Sequence, residues 1–418
     1  MNHVKAAPGN GNNSGQSRGQ NAPVTVTNGT YYSEARCNPD DLLALLERET
    51  QPADVPHATR IIHNVPIYSG DAVRQILVQE DEGRATARQH LMAEWAQVML
   101  HGAGVLVIEG AYDDMAVIDA ATGAYGAIIA DEKAANGTAA DHFAKAGAND
   151  RIWNSAQKLC LRAPDIFARY FGNPVIDMVC EAWLGPCYQM TAQVNLVRPG
   201  GQAQQVHRDY HLGFQAADMC AKFPAHVHHL SPVLTLQGAV AHCDMPLESG
   251  PTLLLPYSQL YREGYMAWRR QDFRDLFNAR NVQLPLRKGD ALFFNPALFH
   301  AAGSNSSQDI QRMANLLQVS SAYGRAMESL DRVAMCKVMY PVIQDLAGAG
   351  GLSPVEQSAA IAACAEGYSF PTNLDTDPPV GGLAPETQNQ LFHRALDAGM
   401  TPDQFNAALD ILMARQVP

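Results

Sequence analysis

The spacing of apolar and polar residues changes character along this chain, and each stretch predicts its own elements. Asn38-Pro-Asp-Asp-Leu-Leu-Ala-Leu-Leu-Glu47 begins a helix, with acids in its first turn where the helix dipole favours them. A long helical stretch follows over residues 70–100, with Ile76, Leu77, Leu91, Trp95 and Leu100 as its core positions. The Ala-rich run from Met115 to Ala148 also reads as helix, interrupted by Gly123 and Gly126, and residues 137–147 read as a mobile loop. From about Pro186 to Tyr323 short strands and turns dominate; Ala291–Asn295 and Ala314–Ser320 are the clearest strands, separated by the turn-forming Gly303–Ser307. Pairing these two strands as a hairpin would bring His300 and Arg312 together. Beyond Tyr323 the pattern returns to helix. Ser353-Pro-Val-Glu356 and Thr401-Pro-Asp-Gln404 each set a capping residue before Pro, with Glu or Gln at the third helical position. The Pro- and Gly-rich segment 370–385 between them is predicted to be irregular.

Composition narrows the class. With 418 residues, 47% of them hydrophobic, the chain can bury a large core. A net charge of −12 argues against nucleic acid or an anionic membrane as a standing partner, since both need a basic surface. The eight cysteines include no Cys-x-x-Cys pair and read as scattered reduced thiols of a cytoplasmic protein. No signal-type or membrane-spanning apolar run is evident, and residues 1–26, rich in Gly, Asn, Ser and Gln, are expected to be disordered. The expected organisation is a tail (1–26), an N-terminal helical region (27–100), a strand-rich central domain (101–325) and a C-terminal helical extension (326–418). That extension is open to a packing role, a homodimer surface or a lid.

The chemistry concentrates at His207 and Asp209, in QVHRDYH, and at His300 and Arg312 further on. Two imidazoles and one carboxylate form the ligand set that holds a non-haem Fe(II) on one face and leaves other positions open. Residues two apart on an extended segment share a face, so His207 and Asp209 can reach one ion while Arg208 points away. Arg312 adds a planar fork suited to a carboxylate, so a dicarboxylate could join metal and guanidinium. His-x-Asp is a weak signal alone, and His242-Cys-Asp244 repeats it. That second copy runs straight into a turn, Leu247-Glu-Ser-Gly-Pro-Thr252, and is taken as a decoy.

Around these residues, over roughly His101 to Tyr323, the chain resembles the phytanoyl-CoA dioxygenase family of Fe(II)/2-oxoglutarate oxygenases. HGAGVLVIEG resembles its opening strand, and QVNLVRPGGQAQQVHRD the approach to its metal motif. LESGPTLLLPYSQL is similar to its Asn-Gly-Pro turn and Pro-Gly-Ser-His, with Ser249 for the Asn and Tyr257-Ser258-Gln259 for Gly-Ser-His. RKGDALFFNPALFHAAGSNSS with Arg312 resembles its distal histidine and 2-oxoglutarate arginine. The resemblance implies an α+β fold with a double-stranded β-helix (jelly-roll, cupin-like) core, flanked by N-terminal helices and a C-terminal helical appendage. It implies His207, Asp209 and His300 as Fe(II) ligands, Arg312 on the distal carboxylate of 2-oxoglutarate, and O2 as second cosubstrate. Succinate and CO2 would form together with an oxidant that attacks a C–H bond of a small-molecule substrate. Asn195, Gln193 and Thr252 are candidates for contacts to 2-oxoglutarate, a structural role being open for each. Tyr210 and His211 are the candidates for contacts to substrate.

Two other readings compete. His226, His228 and His229, with His242, could form a zinc site and make a zinc-dependent hydrolase or cupin-like enzyme. Alternatively the sandwich could bind a small molecule without oxidising it.

Overall fold

A computed structural model describes residues 29–78, 82–136 and 149–418. The tail expected over 1–26 and the loop expected over 137–147 lie outside these residues. The chain is α+β, built on a large, mostly antiparallel sheet. The ten strands among the described residues are β1 (Arg60–Ile62), β2 (Val65–Ser69), β3 (Val105–Glu109), β4 (Asn149–Ile152), β5 (Gln189–Val197), β6 (Thr235–Ala241), β7 (Leu253–Leu255), β8 (Ala291–Phe294), β9 (Phe299–Ala301) and β10 (Arg312–Ser320). Eight of them form one sheet in the order β1-β2-β3-β8-β6-β10-β5-β4, in which only β2 and β3 run parallel; β7 and β9 pair separately.

Period-two alternation gives the large sheet two different faces. Leu106 and Ile108 of β3, Ala291 and Phe293 of β8, and Leu236 and Val240 of β6 enter a core shared with helices. Val105, Val107, Leu292, Phe294 and Ala241 face the other way and pack with Leu254 of β7, Leu284, Leu286 and Leu298. β3 and β8 are therefore apolar on both sides, as buried strands must be, whereas β6 carries Gln237 on its second face. The helix Pro164–Phe171 and the helices Arg332–Gly348, Pro354–Cys364, Gln388–Asp397 and Pro402–Arg415 all contribute to the helix-side core, through residues such as Phe167, Met335, Ile361, Phe392 and Phe405.

The helix-start signals are realised. Asn38 accepts from Asp40 N, and Ser353 and Thr401 form reciprocal capping boxes with Glu356 and Gln404. A third box, Thr387 with Gln390, starts Gln388–Asp397. Segment 370–385 is free of helix and strand.

Four expectations need correction. Ala291–Phe294 and Arg312–Ser320 are not a hairpin, because β6 lies between them and His300 sits on β9 instead. The helix at Met115–Asn136 runs through Gly123 and Gly126 without a break; a Cβ at either would meet nothing within 4 Å, so both take an ordinary helical place. The stretch over 70–100 contains two helices, Gly70–Val78 and Glu82–Leu100. Leu77, Leu91 and Trp95 are buried, but Leu100 is exposed at the helix end. Finally, the region 186–323 also holds helices, among them Ala225–Val233 and Gln271–Arg280.

Candidate metal centre

His207 and His300 face each other across an isolated antiparallel bridge, each backbone N–H donating to the other's carbonyl (3.0 and 3.2 Å). Asp209 N extends the pairing to Pro296 O at 3.1 Å. Between the two, Arg208 turns the opposite way. Its guanidinium donates to Ser258 O (2.7 Å) and Tyr261 O (2.8 Å) and stacks between the rings of Tyr265 and Phe299. This buried anchor lets His207 and Asp209 share a face. The slot it occupies exists because residue 264 is glycine: a Cβ there would fall 1.8 Å from Arg208 Cζ.

One ligand atom from each of His207, Asp209 and His300 lies within 4.8 Å of the others, the one such cluster of three or more among the described residues. His207 Nε2 is 3.6 Å from Asp209 Oδ1, and His300 Nε2 is 3.5 Å from Asp209 Oδ2. Each imidazole is oriented from behind, His207 Nδ1 donating to Gln205 O (2.8 Å) and His300 Nδ1 to Leu298 O (2.9 Å). With the proton on Nδ1, Nε2 keeps its lone pair, and both lone pairs face the carboxylate. Burial and the neighbouring His300 push the His207 pKa down, which favours the neutral ring a metal needs. Burial works against the Asp209 carboxylate, yet positive charge at the facing imidazoles, which a bound divalent ion would supply in their place, and a hydrogen bond from Gln237 hold it well below the usual range. Two imidazoles with Nε2 turned inward and an ionised carboxylate thus fit a divalent ion.

The cluster opens into a cavity of about 600 Å³. One wall is the inner face of the large sheet, supplying Gln193 and Asn195 from β5, Gln237 from β6, and Arg312 and Gln318 from β10. Thr252 lines it too, as do Trp153, Phe214, Trp268 and Met327. Arg312 is 7% exposed, and Nη1 donates to Gly303 O (3.1 Å) and Ser249 O (3.3 Å). That leaves Nη2 and Nε for a ligand. Burial lowers its pKa to about 10, so it stays cationic at neutral pH. The carbonyls that hold it are themselves fixed. Gly250 (φ +75) lets its turn sit against Gly303 and Ser304, where a Cβ would lie 2.2 Å from Ser304 O. Asn305 Nδ2 donates to Val197 O (3.0 Å) and Ile310 O (2.8 Å), pinning the loop to the ends of β5 and β10.

The other candidates divide. Gln193, Asn195 and Thr252 line the cavity; Tyr210 and His211 do not. Tyr210 is buried with its hydroxyl toward Leu236 O (3.4 Å), and His211 Nδ1 contacts Ser231 Oγ (3.0 Å), so both side chains point away from the cavity, to whose wall the chain returns at Gly213 and Phe214. The proposed zinc histidines are dispersed. AHVHHL is helical, not extended; His228 Nε2 donates to Cys220 O (3.0 Å), and His229 pairs with the Tyr32 hydroxyl (2.6 Å).

His242 lies in the helix-side core. Thr122 Oγ1 donates to Ile118 O, so it accepts from His242 Nδ1 (2.8 Å), while the Tyr170 hydroxyl donates to Nε2 (2.8 Å). Burial drives its pKa down to about 3. Because that is below the unfolded value of about 6.5, stability present at neutral pH is lost as pH falls toward 3, by up to ~1.4 kcal/mol per pH unit from this group. His242→Gln, which can also donate and accept, is expected to flatten the decline in urea-unfolding free energy between about pH 7 and about pH 5. Parallel declines in both proteins would refute this.

Sequence reasoning missed Gln237 and Gln318. The available signal was a glutamine inside each of three strands, TLQGAVA, ANLLQVS and TAQVN, between apolar neighbours.

This constellation is a candidate two-histidine, one-carboxylate metal centre beside a buried arginine. The profile of phytanoyl-CoA dioxygenase (PhyH) matches residues 100–314, just over half of the chain, and the chain belongs to that family of Fe(II)/2-oxoglutarate-dependent oxygenases. Among curated proteins it is similar to Dioxygenase andF of Emericella variicolor (26% identical, covering 34% of this chain and 45% of that protein). It is also similar to Dioxygenase trt7 of Aspergillus terreus (28%, covering 35% and 46%). The chain thus spans a little under half the length of either. Among solved structures it is similar to the non-haem alpha ketoglutarate dependent epimerase SnoN of nogalamycin biosynthesis, with TM-score 0.39 and 19% identity, covering 57% of this chain and 84% of that one. The carbocyclase SnoK of the same biosynthesis gives TM-score 0.39 and 19% identity, covering 54% and 83%. No helix among the described residues is long and apolar enough to cross a membrane.

Proposed function

We propose that the protein is an Fe(II)/2-oxoglutarate-dependent oxygenase that couples oxidation of 2-oxoglutarate to hydroxylation, or a related C–H oxidation, of a small molecule. The observation that carries the reading is the convergence of His207, Asp209 and His300 within 4.8 Å, in one cavity with Arg312. In the same reading, the large sheet and the facing β7–β9 pair are a double-stranded β-helix whose second sheet is short. His207, Asp209 and His300 would hold Fe(II), which supplies O2 activation coupled to decarboxylation of 2-oxoglutarate.

The chain's own contribution is binding, orientation and exclusion of water. Arg312 recognises the distal carboxylate of 2-oxoglutarate through its two uncommitted nitrogens. Ala239, Ala241 and Ala314, small side chains on the same wall, leave room for the cosubstrate between Arg312 and the metal ligands. Trp153, Phe214, Trp268 and Met327 give the substrate region an apolar lining. Asn195 Oδ1 and Gln237 Oε1 are buried acceptors with no partner among the described residues. Because 2-oxoglutarate brings acceptors only, these favour a substrate with a hydroxyl or N–H donor on a largely apolar body.

The test is a succinate-release screen with Fe(II), ascorbate and 2-oxoglutarate, weighted toward apolar hydroxylated compounds. Fe(II)-dependent succinate formation, stimulated by some of them, is expected. Complete absence of 2-oxoglutarate turnover in metal-loaded protein would overturn the reading.

A further inference from the structure

Gln237 is tied to the metal cluster by a single bond that neither the ligand motif nor the arginine explains. It sits mid-strand in β6 and is 7% exposed; its Nε2 donates to Asp209 Oδ2, and its Oε1 is buried without a partner among the described residues. Chemistry decides which way its amide points. Reversing it would set Oε1 against a carboxylate oxygen, two acceptors in contact. The adjacent amides do something else: Gln318 Oε1 accepts from Gln193 Nε2 (2.9 Å), and Gln193 Oε1 accepts from Arg151 Nη1 (3.0 Å). Gln318 is level with Gln237 on the neighbouring strand, so the two differ chiefly in that only Gln237 touches Asp209.

Asp209 needs such a contact. The terminal torsion of an aspartate is soft and roughly two-fold, so geometry alone does not fix how its oxygens are shared. The histidines are each braced by a carbonyl at Nδ1, whereas the Asp209 carboxylate has, among the described residues, one bracing partner besides the imidazoles. We propose that Gln237 is the positioning residue of the centre: its amide fixes the rotation of the Asp209 carboxylate toward the two Nε2 atoms. The identity of the ion rests on the oxygenase reading; the positioning itself rests on the bond just described.

The experiment compares wild type, Gln237→Leu, Gln237→Met and Gln318→Leu in anaerobic Fe(II) titrations at fixed 2-oxoglutarate, read by visible absorption. Methionine keeps the side-chain length and removes the donor, which guards against a leucine variant that fails to fold. Both Gln237 variants should bind Fe(II) roughly 10–100-fold more weakly and give a displaced absorption band, as loss of an outer partner of a metal ligand does. Gln318→Leu should keep the wild-type Fe(II) affinity and band. Wild-type Fe(II) affinity in a folded Gln237 variant would overturn the proposal. So would equal weakening in Gln318→Leu, since general loss of cavity polarity would then be the cause. A wild-type protein that gives no band fails at the oxygenase reading itself, a result distinct from both.

Discussion

Asp209→Ala is expected to abolish Fe(II)-dependent succinate formation and to weaken Fe(II) binding by more than the roughly 100-fold that loss of an outer partner costs. The reason is that the carboxylate is the one anionic group in the cluster; the imidazole ligands are neutral and cannot replace its charge. A folding defect is separable from this loss. A ligand that binds only the native state raises stability by about 2.7 kcal/mol at a hundred times its Kd. Anaerobic Fe(II) should therefore raise the Tm of wild type and leave that of Asp209→Ala where it was. Equal Tm rises in the two proteins would assign the metal to other residues.

Arg312→Ala is expected to weaken 2-oxoglutarate binding by roughly 30-fold to several thousandfold, the equivalent of about 2–5 kcal/mol for one partner of an enclosed charge pair. Fe(II) affinity without cosubstrate should stay near wild type, because Arg312 is not among the ligand atoms. Arg312→Lys should recover only part of the loss. Lysine carries the charge but not the planar fork, and it cannot both hold Gly303 O and Ser249 O and present a paired donor edge to the ligand. Isothermal titration with 2-oxoglutarate reads all three proteins. Unchanged affinity in Arg312→Ala would move the anion clamp elsewhere.

The convergence of His207, Asp209 and His300, with Arg312 in the same cavity, was legible in the sequence because its determinants are local. His207, Arg208 and Asp209 alternate faces on an extended segment whatever sheet lies beneath them. His300 and Arg312 flank a turn whose Gly, Ser and Asn content announces it. The capping boxes at Ser353 and Thr401 were legible for the same reason, since each joins residues three apart. What failed was long-range. Periodicity identifies Ala291–Phe294 and Arg312–Ser320 as strands but holds no information on which neighbour each takes, and β6, some fifty residues upstream of β8, fills the gap between them. Tyr210 and His211 adjoin Asp209 in sequence, yet the backbone at both has positive φ and their side chains find partners outside the cavity, at Leu236 O and Ser231 Oγ. The histidine-rich segment misled because spacing of two suits a strand, while Ala225–Val233 is helical. Gln237 was missed because its partner is 28 residues away, and only the folded sheet brings them together.

The central claim is that His207, Asp209 and His300 share one ferrous ion to which 2-oxoglutarate also binds. Anaerobic addition of Fe(II) and 2-oxoglutarate to metal-free protein tests it directly. A weak, broad charge-transfer band in the visible, saturating at one Fe(II) per chain and missing in His207→Ala, is the predicted result. A colourless mixture, or a band that His207→Ala retains at full strength, would contradict it.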